Sequence, residues 1–124
     1  MKKAGIVGLW ILQILLCIVF LMIGTDKFRN PVWSQRFGKW GYPANFHLVV
    51  GAVEAGGAVA LVVPMLSGYG AGSLMVIMAG ALSTHLIHGE MRQATSPAAF
   101  LVLLSLVFLA RRPKFLRRQA RAPG

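Results

Sequence analysis

A chain of 124 residues is long enough for one domain and too short for two. Only 13% of its residues are charged and 56% are hydrophobic, whereas a soluble domain carries about a quarter charged residues, so water is not its main solvent. The formal net charge of +10 would suggest nucleic acid, but the basic residues flank long apolar runs instead of forming one face, so they read as membrane-topology signals.

The first apolar run, residues 5–24, matches the hydrocarbon thickness of a bilayer at helical rise. Lys2 and Lys3 precede it as in a signal peptide. The run is longer than a typical signal core, however, and no small-x-small cleavage pattern follows Met22-Ile23-Gly24, so it is expected to be retained. It contains the lone cysteine, Cys17, which excludes an internal disulfide or a CxxC dithiol centre. Gln13, near its middle, carries an amide that needs a partner. Asp26 and Lys27 read as ordinary helix-boundary charges.

Asn30-Pro31 then signals a helix start. Trp33, Phe37 and Trp40 recur at spacings of four and three, with Arg36 and Lys39 between them, so residues 30–41 predict an amphipathic helix lying in the outer headgroup plane. The reading preferred for it is an anchoring belt of Trp and Tyr; the alternative is a lid over a cavity that opens outward. Gly41-Tyr42-Pro43 ends it.

Residues 46–64 and 70–88 form the second and third apolar segments. Gly51 with Ala55 and Gly68 with Gly72 are small-xxx-small pairs, which let membrane helices approach closely. Gly56 and Gly57 are both expected to face a neighbouring helix. The fourth segment, residues 96–110, has Ser96 as N-cap and Pro97 at the first helical position, and its shortness requires a thinned bilayer or help from its flanks. A basic tail, residues 111–124, follows; its plain role is orientation and attraction to anionic headgroups, worth about 1 kcal/mol per basic residue. The fold expected is all-α: a four-transmembrane-helix bundle with an interfacial amphipathic helix between helices 1 and 2. Lys2, Lys3, Arg111, Arg112, Lys114, Arg117, Arg118 and Arg121 lie on one side, against Lys27, Arg29, Arg36, Lys39 and Arg92 on the other. Eight against five places both termini in the cytoplasm.

Asp26, Glu54 and Glu90 are the only acidic residues. Glu54 is the informative one, because a carboxyl within an apolar segment costs several kcal/mol unless it is protonated or paired. Helical rise puts it about 11–12 Å below the outer start of its segment. His85 and His88 end the third segment at the same side, and His47 shares a face with Glu54. Glu54 and His85 are therefore expected to face each other across segments two and three, as the candidate proton-exchanging pair. Gln13, Lys27, Trp40, His47 and His88 are candidate ligand-binding residues. Each also has a bland reading, as a helix-end, interfacial or structurally paired group. His47, His85, His88 and Glu54 lack the tight spacing of a metal site, so no metal is assigned.

With these residues in view the sequence resembles the DoxX and DoxX-like family of four-helix membrane proteins. The resemblance rests on Gly24 followed by Lys27, on Phe37-Gly38 with Trp40-Gly41-Tyr42-Pro43, and on Glu54 followed by Gly57. Pro64 and the run Met78-Ala79-Gly80-Ala81 leading to His85 fit the same pattern, which extends from Leu9 to Arg111. It implies a four-helix bundle in a bacterial-type inner membrane. Some relatives are subunits of thiosulfate:quinone oxidoreductases or of membrane-associated redox assemblies, and others are assembly helpers. No catalytic residue is carried over from the family.

The leading expectation is a membrane redox accessory that binds a quinone-like or other lipophilic molecule in the outer half of the bundle. His85 would hydrogen-bond a carbonyl, and Glu54 would exchange the accompanying proton. The alternatives are a non-catalytic assembly scaffold and a small proton-coupled exporter. The residues leave open whether the chain is itself an enzyme; the cofactor is unknown, a quinone being the candidate. Expected partners are the lipid bilayer, a lipophilic small molecule and a redox partner protein, with no nucleic acid, and a homo-oligomer is compatible with the sequence.

Overall fold

A computed structural model describes residues 3–112. The expectations placed on Lys2 and on the tail beyond Arg112 lie outside the described residues. Five helices follow in order: α1 (Lys3–Arg29), α2 (Val32–Lys39), α3 (Phe46–Leu61), α4 (Ser67–Ile87) and α5 (Met91–Ala110). No strand occurs among the described residues, and the all-α architecture is as expected. α1, α4 and α5 are long and apolar enough to cross a membrane, whereas α3 is apolar but only 16 residues long. Large apolar side chains such as Ile11, Met22, Val76 and Val102 face outward, as suits a molecule whose solvent is lipid.

The fourth segment departs from its sequence signal. Its helix starts at Met91, so Ser96 is not an N-cap, and Pro97 sits inside the helix, buried. Proline is tolerated there although it supplies no N–H to the carbonyl one turn back.

α3 lies between α1 and α4, and α5 packs on α4, while α1 and α5 touch sparingly. Glycines set the close approaches. A Cβ on Gly24 would lie 2.8 Å from the Gly51 carbonyl, and one on Gly51 would lie 2.8 Å from the Gly24 carbonyl, so α1 and α3 meet backbone to backbone. A Cβ on Gly57 would lie 2.9 Å from Leu74, and one on Gly70 would lie 2.7 Å from the Gly57 carbonyl, which closes α3 on α4. Gly56 corrects the expectation made for it. It is exposed, and a Cβ there would meet nothing within 4 Å, because it falls on a different face from Gly57. The core between these contacts is Leu16, Phe20, Leu61, Leu74, Met78 and Leu104 with smaller neighbours.

Two turns with the same hydrogen-bond pattern aim the polar residues. At the end of α2, Gly41 takes φ 90°; its N–H donates to the Gly38 carbonyl and that of Tyr42 to the Phe37 carbonyl. At the end of α4, Gly89 takes φ 71°; its N–H donates to the Leu86 carbonyl and that of Glu90 to the His85 carbonyl. These are Schellman caps, in which glycine supplies the left-handed residue.

Candidate functional site

Between the helices, at the end of the bundle opposite the termini, lies a cavity of about 390 Å³. α1, α3, α4 and α5 form its walls, and the aromatic side chains of Trp33, Phe37 and Trp40 on α2, with Tyr42 after it, lie along one side. The aromatic face expected of this segment from its spacing is thus turned toward a cavity.

On one wall Lys27 Nζ lies 2.7 Å from Glu54 Oε1, and the two side chains are only 5% and 1% exposed. Their meeting follows from the glycine contact. The two helices run antiparallel, with Glu54 across from Gly24 and Lys27 across from Gly51. A Cβ on Gly24 would lie 3.2 Å from Glu54 Cβ and one on Gly51 2.9 Å from Lys27 Cβ, so each charged side chain starts in the gap left by the other helix's glycine. The ammonium also lies 4.1 Å from the centroid of the Trp33 ring. Trp33 Nε1 in turn donates to Asp26 Oδ2 at 2.7 Å, which ties the start of α2 to α1.

The other polar group is built around Glu90. Its Oε1 lies 2.8 Å from His85 Nδ1 and accepts a hydrogen bond from Trp40 Nε1 at 3.2 Å. The Trp40 ring stands edge-on to His85, with centroids 5.4 Å apart. The hydrogen bond with His85 holds the Glu90 carboxyl below its ordinary range. Beside this group the Tyr42 hydroxyl hydrogen-bonds Thr84 Oγ1, which donates to the Gly80 carbonyl. Thus α2 is fastened at its start to α1 and at its end to the α4–α5 junction.

The structure corrects the expected Glu54–His85 pair. Both residues line the cavity, but Glu54 is paired with Lys27 and His85 with Glu90. Lys27 stands in the last turn of α1, as a boundary charge would, but it is buried and paired with Glu54 instead of exposed. Of the candidate ligand-binding residues, Lys27 and Trp40 line the cavity; Gln13, His47 and His88 do not. His47 is buried beside the Phe37 ring, and His88 donates from Nδ1 to the Thr84 carbonyl. Gln13 is fully buried near the other end of the bundle, donating to the Leu61 carbonyl at 2.6 Å and to Ser67 Oγ at 3.1 Å. Its Oε1 accepts from Arg111 Nε at 3.0 Å.

Glu90, Tyr42 and Thr84 were missed by sequence reasoning. A signal for Glu90 existed: His88-Gly89 is a helix-ending pair, and a Schellman cap folds the residue after glycine back over the last turn, where His85 stands. Among the described residues, no three His, Cys, Asp or Glu side chains converge on one point.

No curated protein and no solved structure matched the chain. The family model described as the DoxX-like family matches residues 11–107, most of the chain and all of the cavity walls. An apolar helical bundle with this match is a membrane protein, and the chain belongs to the DoxX-like family.

Proposed function

We propose that the chain is an accessory of a membrane redox system that binds a neutral, lipophilic small molecule with a flat, quinone-like head in this cavity. The observation that carries the proposal is the buried Lys27–Glu54 pair on a wall otherwise built from aromatic and aliphatic side chains. A site whose two deepest charges cancel favours an uncharged occupant, and aromatic walls favour a planar one. Lys27 would donate to a ligand oxygen, and Glu54, released from Lys27, would take up or supply a proton. His85, whose Nδ1 is already held by Glu90, would hydrogen-bond the ligand through Nε2, accepting from a hydroxyl as the neutral ring and donating to a carbonyl as the imidazolium. Electrons would come from a partner protein. In this reading α3 makes a fourth crossing, and both termini lie in the cytoplasm of a bacterial-type inner membrane.

A scaffold role is the second reading, favoured by one observation: the Lys27–Glu54 pair also bridges α1 and α3 at their closest contact. The two readings part on ligand binding. Titrating the full-length protein in mild detergent with a short-chain benzoquinone should quench Trp33 and Trp40 fluorescence saturably. Ala81→Leu, which fills the cavity wall, should weaken that quenching. Unsaturable quenching that is identical in Ala81→Leu would remove the ligand reading. Mass spectrometry and visible absorbance of the purified protein then tell a retained small molecule from a retained protein.

A further inference from the structure

The acidic and basic residues are segregated along the bundle. All three acids, Asp26, Glu54 and Glu90, lie toward the end opposite the termini, and each has a partner there, in Trp33, Lys27 and His85 respectively. At the terminal end stand Lys3, Arg111 and Arg112, and the sequence has no acidic side chain left to pair with them.

Arg111 is nevertheless held in place. Its Nε donates to Gln13 Oε1, and its guanidinium lies 4.9 Å from the centroid of the Trp10 ring. Gln13 is itself fixed by two hydrogen bonds, to the Leu61 carbonyl and Ser67 Oγ. Arg111 Nη2 and Arg112 Nε are shielded from water and have no acceptor among the described residues. Charged donors withdrawn from water need an anion.

The surroundings of these donors are apolar. The α3–α4 connection, Val62-Val63-Pro64-Met65-Leu66, contains no polar side chain, and Met65 is 82% exposed. Gln13 contacts the residue just before that connection, so α1 continues for about 15 Å on the N-terminal side of this level. That stretch holds Ile6, Val7 and Ile11, all exposed. A soluble anion would meet hydrocarbon-like surface here, whereas an amphiphile would match both the donors and the surface.

We propose that the terminal end of the bundle binds the phosphate of an anionic phospholipid, with Arg111 as the principal ligand residue and Arg112 beside it. The acyl chains lie along the α3–α4 connection and the start of α1. Gln13 and Trp10 are positioning residues: they hold the Arg111 guanidinium with Nε spent on Gln13 and Nη2 left unpaired, the donor that a phosphate oxygen would satisfy. The site is independent of the cavity at the opposite end and of what that cavity binds.

The test is native mass spectrometry of the full-length protein in micelles titrated with phosphatidylglycerol, phosphatidylcholine or inorganic phosphate. Wild type should retain phosphatidylglycerol in preference to the other two. Arg111→Gln should weaken that retention about fivefold or more, the loss expected for one basic group at a membrane surface. Arg92→Gln, which removes an exposed cation at the opposite end, should leave it unchanged. Equal retention of phosphatidylcholine by wild type, a comparison that needs no variant to fold, would overturn the proposal. Equal binding of inorganic phosphate would overturn the lipid assignment, and equal losses in Arg111→Gln and Arg92→Gln would show charge without a site.

Discussion

Removing the two members of the buried ion pair, separately and together, tests whether Lys27 and Glu54 act as a unit. With the charges 2.7 Å apart and an effective dielectric of ~20, their attraction is roughly 6 kcal/mol. Withdrawing each ion from water costs several kcal/mol, so the pair contributes little net stability while each ion depends on the other. Glu54→Gln leaves an uncompensated ammonium, Lys27→Met an uncompensated carboxylate, and each should cost about 3–5 kcal/mol. The double variant should recover most of that loss, because neither charge remains. Equilibrium unfolding in mixed micelles, followed by circular dichroism, provides the four corners of the cycle. If the double variant loses as much as the two single variants added together, the side chains are not coupled. The ion pair would then explain neither the packing of α1 on α3 nor the chemistry of the cavity.

Gly57→Leu should destabilise the bundle by about 1–3 kcal/mol or more, since its added atoms meet Leu74 and Ser73, whereas Gly56→Leu should stay within about 0.5 kcal/mol of wild type in the same unfolding assay. The Glu90 carboxyl titrates below its unfolded value, so the stabilisation it gives is complete above the ordinary carboxylate range and is lost as pH falls through the folded value. Trp40 fluorescence should report release of the α2 end over that acidic window, and Glu90→Gln should abolish the transition; an unchanged titration in that variant would refute it. For topology, with Cys17 replaced by alanine, a membrane-impermeant maleimide added outside intact cells should label a Ser34→Cys variant and spare a Gly124→Cys variant. Equal labelling of both would refute the orientation proposed.

Much of the architecture was legible in local pattern. Apolar run lengths identify the membrane class because lipid leaves a backbone no partner outside itself, and the Trp33–Phe37–Trp40 spacing identifies α2 because helical period needs no tertiary contact to be read. The depth of Glu54 followed from helical rise alone and marked it as needing a partner. Which partner it found did not follow, because depth leaves rotation about the helix axis undetermined. Gly24 against Gly51 decided that rotation, turning Glu54 toward Lys27 on α1 while His85 met Glu90 across a Schellman cap. The same uncertainty put Gly56 and Gly57 on one expected face, although adjacent helical residues stand about 100° apart and only one can meet α4. Gln13 shows the limit most clearly. Its sequence position announced an amide in need of a partner, but Arg111 lies 98 residues away, and only the folded bundle brings the end of α5 against Gln13 within α1.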